Sequence, residues 1–230
     1  MNYKFASYTS NYGHPNELRR TISSLSDKVD LMIAHFGRYK GYDDEEKLRP
    51  EDKEAFMIAD SYGCDIIESP PMTEFEKRRL APAIAKRKLV DFLLIIDSDE
   101  YIDVSETDWD KFVQKCKEIA IDKYHGQYNL FGIKVEDGPQ NYRYLPRLWY
   151  RPEDVYYDST HYGLKSMNPR CPYNSHEFNK LEKHPTIENI PFLTIRSNYD
   201  LRTDYEKVSR EHYAYVINNQ DTYGLFIKGK

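Results

Sequence analysis

The sequence lacks a long apolar run, and its most apolar stretch, FLLII at 92–96, is five residues long. A membrane-spanning helix needs about 20 apolar residues, so we expect no transmembrane segment. The N-terminal MNYKFASYTS enters a strand-like pattern at once, without the apolar core of a secretory signal peptide. We therefore expect a cytoplasmic protein, peripheral to a membrane at most.

Cysteine is also scarce: the chain has 3 in 230 residues, Cys64, Cys116 and Cys171, with no CxxC pair. This spacing argues against a disulfide framework or a structural zinc site and fits a reducing compartment. Positive charge is not in excess, since the net charge is -5, so we expect no nucleic-acid partner. The sequence contains no GxGxxG and no GxxxxGK[ST], so the common dinucleotide and P-loop interpretations lack support.

The first half of the chain alternates strand and helix patterns. Short apolar runs predict strands at 4–9, 30–36, 65–68 and 92–96. Apolar residues at helical spacing predict helices at 14–25, 49–62 and 73–88. A strand–helix alternation of this kind predicts an α/β fold with an open, doubly wound, mostly parallel sheet.

The second half has a different pattern. It predicts a helix at 108–121, paired antiparallel strands at 127–135 and 141–150, a last strand at 190–195 and a last helix at 203–218. The stretch 151–190 is rich in Pro, Tyr and Asn and looks like loop. No internal repeat or low-complexity linker interrupts the chain, so we expect residues 1–230 to form a single domain.

The segment DSDE at 97–100 carries the strongest chemical signal. It directly follows FLLII, a run typical of a strand covered on both faces, and ligands of such sheets bind beyond the carboxyl ends of the strands. Asp97 and Asp99 repel each other unless a cation lies between them. A hard ion such as Mg²⁺ or Mn²⁺, with positions open for phosphate oxygens, is the natural partner. A helix N-cap or a solvated turn is the alternative.

The sequence resembles the GT-A glycosyltransferases, especially the family-2-like transferases. FASYTSN at 5–11, DLMIAHF at 30–36 and FLLIIDSDEYI at 92–102 are similar to the first strand, second strand and metal-binding DxD of that family, in the same order. The DSDE form looks most like transferases that add core sugars to lipopolysaccharide. The resemblance implies a GT-A fold with an antiparallel C-terminal part, residues 1–103 being the nucleotide-sugar-binding half and 104–230 the acceptor-binding half.

The resemblance also implies an activity: a metal-dependent, hexosyltransferase-type glycosyltransferase that inverts the anomeric centre. Its donor would be a nucleotide-diphosphate sugar and its acceptor a glycan or another hydroxyl-bearing molecule. The implied donor-binding residues are Ser7, Tyr8, Thr9, His35, Arg78 and Arg79. The implied ligands of Mn²⁺ or Mg²⁺ are Asp97 and Asp99, with His161 as a candidate third ligand.

The catalytic base is harder to assign, because the chain departs from the family pattern. His161 is followed by Tyr162 where the family has a Glu, and a His-Glu pair occurs only at 176–177. Asp158 and Glu177 are the candidate bases, and we favour Asp158 because it lies in the segment that resembles the family. Glu100 as the base, or a retaining mechanism, is the remaining alternative.

Two other functions compete with sugar transfer. A nucleotidyltransferase would have a similar sheet and similar carboxylates, but its first loop is usually basic, and the loop at 8–13, YTSNYG, is not. A non-catalytic nucleotide-sugar-binding protein of the same fold is the second alternative, since the expected Glu after His161 is missing.

Overall fold

The computed structural model describes residues 3–11, 14–37, 50–72, 74–121, 130–138, 141–159, 163–166 and 188–198. The predicted last helix at 203–218, His161 and Glu177 lie outside these residues. Within them, no helix is both long and apolar enough to cross a membrane.

Helices and strands alternate through the first half of the chain, as the apolar patterns predict. The elements are β1 (Phe5–Ser10), α1 (Pro15–Leu25), β2 (Leu31–Phe36), α2 (Pro50–Ser61), β3 (Asp65–Glu68), α3 (Glu74–Arg87) and β4 (Phe92–Ile95). Proline occupies the first position of α1, where its fixed φ suits a helix and its missing N–H costs no hydrogen bond.

The second half is richer in strands. It contains β5 (Glu100–Ile102), α4 (Trp109–Ile121), β6 (Leu130–Gly138), β7 (Asn141–Tyr150), β8 (Val155–Ser159), β9 (Gly163–Ser166) and β10 (Glu188–Ser197), with one 3₁₀ turn at Pro152–Asp154. The expectation that 151–190 is loop is therefore wrong at 155–159 and 163–166, where β8 and β9 pair as antiparallel strands.

In the part of the chain that the structure describes, eight strands form one sheet in the order β3-β2-β1-β4-β7-β6-β10-β5. The strands β3, β2, β1 and β4 run parallel to one another. β7 is antiparallel to both β4 and β6, β10 is parallel to β6, and β5 is antiparallel to β10. The predicted fold class, a mostly parallel α/β sheet flanked by helices with an antiparallel C-terminal part, is confirmed.

The apolar run of β4 is explained by the two cores on either side of the sheet. Phe92 and Leu94 pack in one core with Phe112 and Cys116 of α4. Leu93 and Ile95, whose side chains point to the other face, pack in the second core with residues of β1 and α3. Because both faces of the strand are buried, every position has to be apolar. β4 is thus a rigid support for the DSDE segment that follows it.

Candidate functional site

The candidate site lies where the strand order of the sheet changes direction. The chain proceeds from β1 outward to β2 and β3, and then returns to the opposite side of β1 as β4. Ligands of open α/β sheets bind beyond the carboxyl ends of the strands at such a switch point. Asn11 directly follows β1 there, and the DSDE segment follows β4 after Ile96.

The DSDE segment closes on itself in a compact turn. The backbone N–H of Glu100 donates to the Asp97 carbonyl at 2.9 Å, and the Asp97 N–H donates to Oε2 of Glu100, also at 2.9 Å. Ser98, Asp99 and Glu100 are all buried. The turn is therefore held from within by one of its own carboxylates.

Two arginines from separate elements bind the carboxylates of this turn. Arg78 of α3 donates from Nη2 to Oδ1 of Asp97 at 2.8 Å. Arg147 of β7 donates from Nη2 to Oδ2 of Asp97 at 2.9 Å and to Oε1 of Glu100 at 2.8 Å. Burial raises the pKa of Glu100, and the charge of Arg147 acts in the opposite direction. These four side chains form a largely buried cluster, which we call the charge cluster.

The charge cluster bears directly on the predicted metal site. Both carboxylate oxygens of Asp97 accept hydrogen bonds from guanidinium groups, so a divalent ion would have to displace an arginine to bind there. In the part of the chain that the structure describes, no group of three or more His, Cys, Asp or Glu side chains is placed to hold a metal ion. As arranged, both carboxylate oxygens of Asp97 and one of Glu100 are paired with arginines. Binding of Mn²⁺ or Mg²⁺ through Asp97, Asp99 and His161 stays a prediction.

The predicted nucleotide-binding residues of β1 and β2 lie side by side and are buried. Ser7, Tyr8 and Thr9 are at most 3% exposed, and His35 is completely buried. The hydroxyl of Tyr8 donates to the Lys77 carbonyl at 3.0 Å, which leaves it to accept from Nδ1 of His35. The contact of these residues with a nucleotide stays a prediction.

His35 is held as a neutral imidazole. Its Nε2 lies 2.9 Å from the hydroxyl oxygen of Ser69, which also lies 3.4 Å from the Phe36 carbonyl. Burial lowers the pKa of His35 to about 4, and the nearby charge of Lys77 adds to the effect. Lys77 itself is completely buried and donates from Nζ to the carbonyl of Gly37. These residues form a polar connection between β1, β2 and α3.

Arg78 and Arg79 point in different directions, although they are adjacent. Arg78 is buried against Asp97, whereas Arg79 is on the exposed side of α3. Of the two, the structure brings Arg78 into the charge cluster.

Several residues of the site were not predicted as site residues from the sequence. Arg147 is the most important of them, because β7 follows the DSDE segment by about 40 residues and only the sheet order brings it next to β4. The hydroxyl of Thr21 in α1 lies 3.0 Å from the Ser98 carbonyl and also contacts the Glu100 carbonyl. The N–H of Asn198, after β10, donates to the Asp99 carbonyl at 2.6 Å. No local sequence signal marks Thr21 or Asn198.

The candidate bases lie largely outside the described side chains. Asp158 is in β8, where the backbone is described and the side chain is not, and Glu177 lies outside the described residues. β8 begins against α3, because Val155 packs in the core that contains Ala81 and Ala85 of that helix. Both assignments stay predictions.

The sequence matches no protein-family model, and no curated protein matches it. Similar solved structures include residues 1–349 of S. aureus TarS in complex with UDP, with a TM-score of 0.47 and 15% identity, over 84% of this chain and 60% of that chain. They also include the 4-diphosphocytidyl-2C-methyl-D-erythritol synthase of Anaerococcus prevotii, with a TM-score of 0.45 and 9% identity, over 93% of this chain and 96% of that chain.

A third similar structure is a glycosyltransferase involved in the glycosylation of the major capsid of PBCV-1, with a TM-score of 0.30 and 12% identity, over 63% of this chain and 58% of that chain. This chain spans 23% of a longer TarS structure, so it corresponds to only part of that protein. At these identities and TM-scores the similarity says nothing about reaction or substrate, which have to be argued from the site.

Proposed function

We propose that this chain is a glycosyltransferase that moves a sugar from a nucleotide-diphosphate donor to a hydroxyl-bearing acceptor. The observation that supports this most is the charge cluster: two guanidinium groups and the carboxylates of Asp97 and Glu100 lie at the switch point between β1 and β4. This is the position where an open α/β sheet binds its ligand.

The residue types of the cluster suit a nucleotide-diphosphate sugar. Guanidinium groups are planar donors that match phosphate oxygens and carry a charge at every physiological pH. Carboxylates accept hydrogen bonds from sugar hydroxyls. When the sugar is transferred, negative charge grows on the leaving diphosphate, and donors already in place stabilise that charge without rearrangement.

The transfer step balances as a single displacement. The acceptor hydroxyl oxygen attacks the anomeric carbon of the donor sugar and forms the new glycosidic bond. The bond between that carbon and the phosphate oxygen breaks, and the nucleoside diphosphate leaves with the electron pair. The hydroxyl proton passes to a carboxylate, for which we propose Asp158, with Glu177 as the alternative. Displacement from the face opposite the diphosphate inverts the anomeric centre.

The variant Asp99→Asn tests the role of the DSDE carboxylates in transfer. We expect it to lose about 100-fold in kcat/KM, equivalent to about 2.7 kcal/mol of transition-state stabilisation, because a neutral amide of the same shape has no charge to offer a cation or a sugar hydroxyl. The exposed Asp60 of α2 provides a matched control, since Asp60→Asn changes the same functional group away from the site. Near-normal turnover of Asp99→Asn would remove Asp99 from the mechanism.

The reaction itself is tested by product analysis with a panel of nucleotide sugars, with and without added Mn²⁺ and with simple sugar acceptors. Sugar transfer releases a nucleoside diphosphate and extends the acceptor. A nucleotidyltransferase would instead release pyrophosphate from a nucleoside triphosphate and a sugar phosphate. A chain that binds nucleotide sugars and releases neither product would be the non-catalytic alternative.

A further inference from the structure

The guanidinium of Arg147 uses only one of its terminal nitrogens in the charge cluster. Nη2 alone contacts both Oδ2 of Asp97, at 2.9 Å, and Oε1 of Glu100, at 2.8 Å. The side chain is 11% exposed, so water has little access to it. Arg147 is thus fixed in position by two carboxylates bound to a single nitrogen.

The other terminal nitrogen, Nη1, is buried and has no hydrogen-bond partner in the described part of the chain. A buried charged donor without an acceptor is unfavourable, and native structures rarely contain one without a functional reason. The acceptor that fits best is an anionic oxygen.

The surroundings of Arg147 favour a phosphate as that acceptor. Arg78 binds the opposite oxygen of the same Asp97 carboxylate, so two guanidinium groups flank one residue of the turn. Both belong to the carboxyl edge of the sheet at the switch point between β1 and β4. A diphosphate placed there would offer oxygens to Nη1 and reduce the repulsion between the two arginines.

We propose that Arg147 binds the diphosphate of the donor through Nη1, while its Nη2 holds Asp97 and Glu100 in place. This inference rests on the proposed function, because it assumes that the switch point binds a nucleotide diphosphate. It adds a specificity-determining residue: Arg147 distinguishes a nucleoside diphosphate from the bare nucleoside.

The experiment compares the affinity of the full chain for UDP, GDP, ADP and CDP with that for the matching nucleosides, by calorimetry or by competition. The variants are Arg147→Gln and Arg147→Lys. The control is Arg196→Gln, because Arg196 also lies in the sheet and pairs with carboxylates, those of Asp103 and Glu136, outside the charge cluster.

We expect Arg147→Gln to weaken binding of the preferred nucleoside diphosphate by about 10- to 100-fold, the equivalent of one charge-assisted hydrogen bond. Affinity for the nucleoside should change less than about threefold, an effect worth under about 0.7 kcal/mol. Arg147→Lys should give an intermediate loss of diphosphate affinity, because lysine keeps the charge but lacks the planar guanidinium with its two terminal nitrogens. Arg196→Gln should bind both ligands like the wild type.

Equal losses of nucleoside and diphosphate affinity would overturn the inference, because Arg147 would then only support the turn. Unchanged diphosphate affinity would overturn it as well. If Arg147→Gln fails to fold, Arg147→Lys decides by the same comparison. If the wild-type chain binds none of the four diphosphates, the proposed function fails and the inference fails with it. If the wild type binds a diphosphate but Arg147→Gln and Arg147→Lys bind it equally well, only the inference about Arg147 fails.

Discussion

At the scale of single residues, Asp97 is the centre of the candidate site, because both of its carboxylate oxygens hold an arginine. Arg78 and Arg147 are each about 90% buried, so losing Asp97 removes a charge-assisted hydrogen bond from each of two buried guanidinium groups. Removing one partner of a buried ion pair is strongly destabilising, whereas removing an exposed one is nearly neutral.

We therefore expect Asp97→Ala to lower the free energy of unfolding by about 3 kcal/mol, measured by urea denaturation. Asp60→Ala, at an exposed position of α2, is the control and should change stability by less than about 0.5 kcal/mol. If the two variants were equally stable, the contacts of Asp97 with its two arginines would contribute nothing in solution.

His35 makes the stability of the fold depend on pH. Its pKa in the folded chain is about 4, against 6.5 for an ordinary histidine. Between these values the unfolded chain binds a proton that the folded chain does not, so the folded state loses stability as pH falls, by up to about 1.4 kcal/mol per pH unit. Above pH 6.5 this contribution is constant.

The measurement is the free energy of unfolding of the wild type and of His35→Gln at several pH values between 7 and 4. The variant should be less stable at pH 7 but should lose less stability on acidification. Parallel pH profiles for the two proteins would mean that the pKa of His35 is the same in the folded and the unfolded chain.

The candidate site could be predicted from the sequence only where its residues are neighbours in the chain. The DSDE segment stands out because four polar residues follow a fully apolar strand. Arg147, Thr21 and Asn198 could not be found in this way, since each comes from a different element and meets the turn only in the folded sheet. Nor does the sequence show that the oxygens of Asp97 face arginines.

At the scale of elements, α2 and α3 end in the same way but with different residues. In α2, the N–H of Cys64 bonds to the Ala59 carbonyl and that of Gly63 to the Asp60 carbonyl. In α3, the N–H of Val90 bonds to the Ala85 carbonyl, and that of Leu89 bonds to the carbonyl of Lys86. Such an ending needs a residue with positive φ, and φ is +71° at Gly63 and +55° at Leu89.

Glycine adopts positive φ without strain, whereas leucine does so at a cost of about 1–2 kcal/mol. Because Leu89 is 82% exposed, replacing it loses little packing. We expect Leu89→Gly to raise the free energy of unfolding by about 0.5–1 kcal/mol and Gly63→Ala to lower it by a similar amount. The melting temperatures of the two variants should shift in the same directions. A destabilised Leu89→Gly would show that the leucine side chain has a packing role.

The elements that the sequence predicts well are those with a strong pattern. The first-half strands and helices agree with the structure to within a few residues, because their apolar positions repeat clearly. The hairpin of β8 and β9 was missed because VYYDS and GLKS have no clean alternation of apolar and polar residues. The strand β5 is only three residues long and exists because β10 pairs with it.

At the scale of the whole molecule, the sheet order creates the site. Segments from both ends of the described chain meet at the DSDE turn: α1 contributes Thr21, and Asn198 follows the last described strand. The side-chain amide of Asn198 also donates to Thr21, at 3.4 Å. The turn therefore depends on long-range packing, and this explains why its geometry could not be predicted from the local sequence.

The central claim, that the switch point binds a nucleotide-diphosphate donor, is tested most directly by a crystal structure of the chain with its preferred nucleoside diphosphate. The account predicts that the diphosphate lies beyond the carboxyl ends of β1 and β4, within hydrogen-bond distance of Arg147. A nucleotide bound elsewhere on the chain, with the charge cluster unchanged and untouched, would contradict it.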